Sequence, residues 1–114
     1  MKLFRKERMS SLIREELAML IARELEFKGM FVTLTDVVVD ADLDHAKARL
    51  SVMPADRAGD ALAIARAFER RFHGELVRKL AIRPIPYIRF EIDHGLEKAA
   101  DIEKRLMGSD TSGE

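Results

Sequence analysis

The spacing of apolar residues changes several times along this chain, and the order of the changes restricts the folds available to it. Between residues 6 and 27, apolar side chains recur every three or four positions, which predicts one long amphipathic helix. Residues 31–39 are rich in Val and Thr, whose branched side chains favour a strand. Residues 46–52 alternate between apolar and polar side chains, which predicts a second strand with one buried and one solvated face. The Asp-rich segment 40–44 then joins the two strands as the turn of a hairpin.

The second half of the chain begins with two helical patterns. Apolar residues keep helical spacing over residues 57–72 and resume it directly after Gly74, so we predict two helices that meet at a kink around His73-Gly74. A third strand opens at Pro84 and Pro86 and is predicted to turn three apolar residues inward: Ile88, Phe90 and Ile92.

The order of these elements predicts an α+β domain. A short helix from residue 95 to about 107 is expected to complete it, and the polar segment 108–114 is expected to be a flexible tail. The 114 residues suit a single domain, here 1–107. The helical segment between strands two and three leaves room for a right-handed crossover, so we predict a three-stranded sheet with helices packed on one face.

No sequence pattern points to catalysis, a metal or a cofactor. The chain has no cysteine, and its three histidines lack the spacing that places two imidazoles on one metal ion. The acidic turn resembles the start of a calcium-binding loop, but His45 and Ser51 stand where that loop needs Gly and Glu. Its glycines are isolated and form no phosphate-binding loop. We therefore predict a protein that is not an enzyme and has no small-molecule substrate.

Hydropathy gives no sign of a membrane or an export signal. No apolar run approaches the roughly 20 residues that a membrane span requires, and the basic N-terminus is not followed by an unbroken apolar segment. Together with the absence of cysteine, this predicts a cytoplasmic protein. No exposed apolar stripe beyond the needs of the core is evident, which predicts a monomer.

Charge is distributed unevenly along a chain whose formal net charge is zero. Residues 66–89 contain seven basic and two acidic side chains, which leaves that segment with a net charge of +5. Such a dipolar distribution can hold a polyanion on one face of a neutral protein.

The basic segment surrounds the predicted kink, and this combination indicates RNA binding. A glycine at a kink lets a nucleic-acid backbone approach closely, and the second helix offers free N–H groups to phosphate. A helix with a merely solvated basic face would have the same spacing. Tyr87 is the only clearly outward aromatic residue, so recognition of backbone and shape is favoured over the reading of splayed bases. The candidate RNA-binding residues near the kink are Arg66, Arg70, Arg71, His73, Gly74, Arg78, Lys79 and Arg83.

Taken together, residues 8 to about 107 resemble the ribosome-binding factor A family. The likeness is found in the leading helix and in the three predicted strands: Ile13-Arg14-Glu15-Glu16-Leu17 with Ile21-Ala22-Arg23-Glu24, Val32-Thr33-Leu34-Thr35-Asp36-Val37, Asp42-Leu43-Asp44-His45-Ala46-Lys47, and Arg83-Pro84-Ile85-Pro86-Tyr87-Ile88-Arg89-Phe90 with Asp93.

This resemblance implies a type II KH-like fold in which a helix-kink-helix, often Ala-x-Gly, replaces the usual Gly-x-x-Gly loop. Phe72-His73-Gly74 keeps the glycine and lacks the alanine. The resemblance further implies a non-enzymatic factor that binds free or immature small (30S) ribosomal subunits, assists late maturation and 5′-end processing of 16S rRNA, and helps at low temperature. The kink residues His73 and Gly74 and the flanking arginines would then meet rRNA. Two groups are secondary candidates: Lys47 and Arg49 of the second strand, and the basic N-terminal residues Lys2, Arg5, Lys6 and Arg8. A protein-binding adaptor of similar fold, without RNA contact, is the alternative, and salt-insensitive binding would distinguish it.

Overall fold

The computed structural model describes residues 5–95, which form three helices and three strands in the order helix, strand, strand, helix, helix, strand. Their bounds are α1, Arg5–Glu24; β1, Phe31–Val39; β2, His45–Met53; α2, Ala58–Arg66; α3, Glu69–Lys79; and β3, Tyr87–Ile92. A single 3-10 turn, Ala55–Arg57, leads into α2. The predicted helix over 95–107 and the tail over 108–114 lie outside the described residues. Within residues 5–95, no helix combines the length and the apolar character needed to span a membrane.

The two predicted strands of the hairpin are confirmed, and their turn is closed by Asp40. β1 and β2 pair antiparallel, with Val39 opposite Ala46. The Asp40 backbone N–H donates to the carbonyl of His45 at 2.9 Å, and its side-chain Oδ1 accepts from the N–H of Asp44, also at 2.9 Å. Leu43 adopts a positive φ of 62°. The acidic turn is therefore held closed by hydrogen bonds that involve both the backbone and the side chain of Asp40.

β3 joins the sheet on the other side of β2. The strand order is β1-β2-β3, and β3 runs parallel to β2, with Tyr87 opposite His45 and Arg89 opposite Lys47. Parallel neighbours need a long crossover connection, which α2 and α3 provide. This register decides which side chains of the two strands become neighbours on the sheet.

All three helices cover one face of the sheet. The alternation in β2 predicted one buried and one solvated face, and the structure confirms it: Ala46, Ala48 and Leu50 are fully buried, whereas Lys47 is exposed. The buried residues that the helices place over this face include Ile13, Leu17, Leu20, Phe72 and Leu76. The opposite face of the sheet is not covered by any element between residues 5 and 95. The polar side chains of β2 and β3 are displayed there.

The pairing of β1 is irregular at Thr35, and the side chain of this residue contacts the end of β3. The register between β1 and β2 shifts between Leu34 and Asp36. The Thr35 hydroxyl lies 2.7 Å from Oδ2 of Asp93 and donates to it. The Asp93 backbone N–H in turn donates to the carbonyl of Leu50 at 2.7 Å. Asp93 thus holds the end of β3 against both of the other strands.

The two crossover helices meet at Ala67-Phe68, so the predicted kink at His73-Gly74 is wrong. α3 continues through Gly74 without interruption, and a Cβ placed on Gly74 would meet no atom within 4 Å. At the actual break, Phe68 has φ −105° and ψ 2°, which is outside the helical range. A glycine within helical spacing was therefore a poor indicator of where the helix ends.

The break coincides with two side chains that bind the backbone of Phe90 on β3. Arg66, the last residue of α2, donates from Nε to the Phe90 carbonyl at 3.3 Å. Glu69, the first residue of α3, accepts from the Phe90 N–H at 2.7 Å. Phe90 itself is fully buried. Both polar groups of Phe90 are satisfied only if the chain turns between Arg66 and Glu69, and this is the physical reason for the position of the break.

Candidate nucleic-acid interface

Two of the predicted RNA-binding residues of α3 are paired with α1. The guanidinium of Arg71 lies 2.6 Å from the carboxylate of Glu24, and the ammonium of Lys79 lies 3.1 Å from that of Glu16. The side chains of Glu24 and Glu16 are only 13% and 17% exposed. Because a poorly solvated carboxylate needs a partner, Arg71 and Lys79 fasten α3 to α1.

Two further predicted residues bind groups at the C-terminal end of α3. Arg78 pairs with Glu75 within the same helix. Arg83 donates from its guanidinium to the carbonyls of Val77 at 3.1 Å and Leu80 at 3.0 Å. These carbonyls belong to the last turn, where a helix leaves acceptors unsatisfied and favours positive charge. Arg83 is therefore a helix-terminating contact.

Three basic residues on β2, β3 and the start of α3 have no such partner among residues 5–95. Lys47, Arg70 and Arg89 are exposed and form neither an ion pair nor a side-chain hydrogen bond within the described part of the chain. Lys47 and Arg89 are direct neighbours across β2 and β3 on the uncovered face of the sheet. By contrast, Arg49 on the same face is neutralised by Glu91, with 3.5 Å between Nε and Oε1. Like charges that face each other across strands repel, and a bound anion would relieve that repulsion.

An aromatic group borders these cations at the start of β3. The Tyr87 ring stacks on the imidazole of His73, with 4.4 Å between ring centroids and 23° between planes. His73 Nε2 is 3.1 Å from the carbonyl oxygen of Ile85, and this hydrogen bond fixes the orientation of the imidazole. His45 lies on the neighbouring strand, 6.1 Å from the Tyr87 centroid. Despite these contacts, Tyr87 remains 62% exposed.

A cleft of about 210 Å³ runs between the start of α3 and β3. Its lining residues come from β2, α3 and β3: His45, Glu69, Arg70, Tyr87, Ile88 and Arg89. The cleft therefore brings together two unpaired cations and an exposed aromatic ring.

The structure divides the ten residues predicted from the sequence into two groups. Arg70, His73 and Lys47 lie in or next to the cleft, and Gly74 follows His73 in α3. The other six make contacts within the protein: Arg66 with the backbone of β3, and Arg49, Arg71, Arg78, Lys79 and Arg83 with the carboxylates and carbonyls described above.

Sequence reasoning missed Arg89, Tyr87 and His45 as members of one site. The alternation in β3 already placed Tyr87 and Arg89 on the outward face, which was a usable signal. Their proximity to His45 and Lys47 follows from the parallel register of β2 and β3. The interpretation of Tyr87 as the only outward aromatic was also wrong, because Phe31 is 81% exposed.

The described residues offer no obvious metal site. No group of three or more His, Asp or Glu side chains between residues 5 and 95 is arranged to hold a metal ion. Of the three histidines, His45 and His73 both approach Tyr87, through ring contacts.

Comparison with known proteins places this geometry in a family. The family model described as ribosome-binding factor A matches residues 5–106. Ribosome-binding factor A of Coprothermobacter proteolyticus is 32% identical over 107 residues, which cover 93% of this chain and 78% of the relative. The protein of the same name from Synechococcus sp. strain CC9311 is 38% identical over 106 residues, covering 86% of this chain and 76% of the relative.

A solved structure shares the fold. The crystal structure of ribosome-binding factor A from Thermus thermophilus superposes with a TM-score of 0.66 at 22% identity, covering 76% of this chain and 93% of that one. This likeness, together with the mixed three-stranded sheet and its one-sided helices, confirms the predicted KH-like α+β fold.

Proposed function

The chain belongs to the ribosome-binding factor A family, and from this membership we propose that it is a ribosome assembly factor of the cytoplasm. Its partner is the free or immature small (30S) ribosomal subunit, and its ligand there is 16S rRNA. It assists late maturation, including processing of the 5′ end of that RNA, as a monomer and without catalysing a reaction itself.

The observation that best supports RNA contact is the cluster of uncompensated cations around the cleft. Lys47, Arg70 and Arg89 form no ion pair with any carboxylate of residues 5–95. Two of them are adjacent on the sheet, in a protein whose formal net charge is zero. Phosphate groups of RNA are the natural counterions for such a surface.

The remaining predicted residues have a smaller part in this proposal. Arg71, Arg78 and Lys79 are exposed, but each belongs to an ion pair whose field is nearly neutral at a distance. Replacing Arg71 or Lys79 would weaken the attachment of α3 to α1. Gly74 remains a candidate for RNA contact for a different reason. The fold does not require glycine at this position, because a Cβ there would meet no atom within 4 Å. Close approach of an RNA backbone would give the glycine a role that the fold does not.

Sedimentation of the protein with isolated small subunits, large subunits and assembled ribosomes tests the proposal. Binding to free small subunits is expected, with an affinity that falls as salt rises. Three phosphate contacts would weaken binding roughly 20- to 40-fold between about 50 and 200 mM salt. No binding to small subunits at low salt would refute the proposal, and binding that ignores salt would favour the protein-binding adaptor.

A matched pair of variants locates the contact surface. Arg70 and Arg71 are adjacent and exposed on α3, yet within residues 5–95 only Arg71 has a carboxylate partner. Arg70→Gln is expected to weaken subunit binding and to reduce its salt dependence by about one contact. Arg71→Gln should leave the salt dependence unchanged and lower the stability of the fold instead. The opposite pattern would place the RNA on the α1 side of α3.

A further inference from the structure

We propose that the cleft beside β3 holds one unpaired nucleotide of RNA, with its base against the ring of Tyr87 and its phosphate on Arg70 and Arg89. The inference rests on the proposed function and refines it, because it specifies single-stranded RNA and names the residue that recognises it.

The Tyr87 ring has the properties of a preorganised stacking surface. One side is held by the His73 imidazole at 4.4 Å, and that imidazole is itself fixed by the Ile85 carbonyl at 3.1 Å. A ring held in place loses little rotational freedom when a ligand binds, so less of the stacking energy is spent on ordering it. At 62% exposure, the ring still offers an open surface to a base.

The charges of the cleft suit the backbone of the same nucleotide. Arg70 and Arg89 line the cleft with Tyr87 and have no carboxylate partner among the described residues. Glu69 also lines it, and its Oε2 accepts from the N–H of Phe90 at 2.7 Å, so the cleft holds two cations against one carboxylate. Guanidinium groups can bind a phosphate through two parallel hydrogen bonds, which fixes position as well as charge. Lys47 extends the positive surface from Arg89 along the sheet, toward a neighbouring phosphate.

The size of the cleft favours a single nucleotide over a whole small-molecule ligand. Its volume of about 210 Å³ is below the roughly 300–1,000 Å³ of typical ligand pockets. A cleft of this size suits one part of a larger molecule that continues over the protein surface.

An aromatic surface beside cations also favours unpaired RNA over a duplex. Bases in a duplex are stacked on one another and present no free face, so duplex RNA is recognised through its backbone and shape. Single-stranded segments can turn a base outward onto an aromatic ring.

The protein contains its own reporter for this contact. Tyr87 is the only tyrosine, and the chain has no tryptophan, so fluorescence excited at wavelengths too long for phenylalanine to absorb comes from this ring. A short single-stranded RNA is expected to shorten the Tyr87 fluorescence lifetime as the base stacks, whereas a blunt duplex of the same sequence should leave the lifetime unchanged. Lifetimes are preferable to intensities because absorption by the RNA does not alter them. Equal lifetimes with and without the single strand, at RNA concentrations that saturate binding, would overturn the inference.

Two substitutions give an independent reading through affinity. Tyr87→Leu keeps an apolar side chain but removes the ring, and it should weaken binding of labelled single-stranded RNA roughly 5- to 150-fold. Tyr87→Phe keeps the ring and should bind within about twofold of the native protein. Neither change should affect duplex binding. Circular dichroism of each variant checks that the fold is retained.

These outcomes separate the inference from the proposed function. If Tyr87→Leu binds single strands as the native protein does, while small-subunit binding remains salt-sensitive, the stacking site is refuted and the assembly-factor proposal stands. If the native protein binds neither RNA nor small subunits, both proposals fail. The cleft could instead bind an aromatic side chain of a protein partner. In that case Tyr87→Leu would weaken the protein complex and leave RNA binding unchanged, and the proposed nucleotide site would be refuted.

Discussion

Lys47 and Arg89 are cross-strand neighbours with the same charge, on a face of the sheet that no described helix covers. An arrangement of this kind costs stability, because like charges placed directly opposite each other in a sheet repel. The nearby pair Arg49–Glu91 shows that the same face can accommodate opposite charges. The repulsion between Lys47 and Arg89 is consistent with a surface selected for an anionic partner.

Replacing Lys47 with glutamate should therefore change stability and binding in opposite directions. An attractive pair with Arg89 would raise the free energy of unfolding by about 0.2–1 kcal/mol, measured by urea denaturation. The same change should weaken binding to small subunits because a phosphate contact becomes a repulsion. As a control, Arg49→Gln breaks an existing pair and should not increase stability. A Lys47→Glu protein that is more stable and binds normally would show that this pair lies outside the interface.

Gly74→Ala offers a second test in which stability and binding diverge. Alanine is favoured over glycine inside a helix by about 0.5–1 kcal/mol, and a Cβ at this position meets no atom within 4 Å. The variant should thus unfold at higher urea concentration. If RNA approaches the helix closely at Gly74, the added methyl group should also reduce affinity.

Gly59→Ala serves as the matched control for that experiment. Gly59 lies near the start of α2, and a Cβ there also meets nothing within 4 Å. This variant should be as stable as the native protein or slightly more stable, with unchanged affinity. Normal binding by both variants would remove Gly74 from the proposed interface.

The helix break predicts a specific loss of stability when Glu69 is changed. Glu69→Ala leaves the buried N–H of Phe90 without an acceptor, at a cost of about 1–3 kcal/mol. Glu69→Gln retains an acceptor oxygen and should lose less. Urea denaturation of the two variants measures the difference. Equal losses would mean that the carboxylate charge, rather than the hydrogen bond to Phe90, matters.

Asp93 makes the stability of the fold depend on pH in the acidic range. The hydrogen bond from the Thr35 hydroxyl, helped by the Gly95 N–H and by the charges of Arg49 and His94, holds the pKa of Asp93 below its usual value of 3.8. Since the pKa is lower in the folded state, this contribution is present above pH 3.8 and is lost as pH falls through the lowered folded value. Thr35→Val should bring the pKa of Asp93 back toward 3.8, as measured by NMR titration of its carboxyl group. An unchanged titration would assign the lowered pKa to the Gly95 N–H and to the charges of Arg49 and His94.

The local elements were predictable from the sequence because their periodicity is strong. β1 begins and ends at the predicted residues, and the alternation in β2 identified its buried face. The break at Ala67-Phe68 was not predictable in this way, because it depends on hydrogen bonds to Phe90, a residue more than twenty positions later. Sequence spacing placed the interruption at Gly74, where only the local propensity is weak.

The candidate site was predictable only in part, for a related reason. The basic segment identified Arg70 and its neighbours, but charge counting cannot tell a free cation from one that is paired. Arg71 and Lys79 are neutralised by Glu24 and Glu16, which lie more than forty residues earlier in the chain. Likewise, Lys47 and Arg89 become neighbours only through the parallel register.

The hydrogen bonds of Arg66 and Glu69 to the backbone of Phe90 also affect the tendency of the protein to self-associate. β3 is an edge strand of the sheet, and an edge strand offers unpaired backbone groups to which a strand of another molecule can add. At Phe90, the N–H and the carbonyl are already occupied by these two side chains. An incoming strand would have to displace an arginine and a glutamate before it could form a continuous ladder along β3. The same contacts that accompany the break between α2 and α3 thus also protect this edge of the sheet against edge-to-edge aggregation.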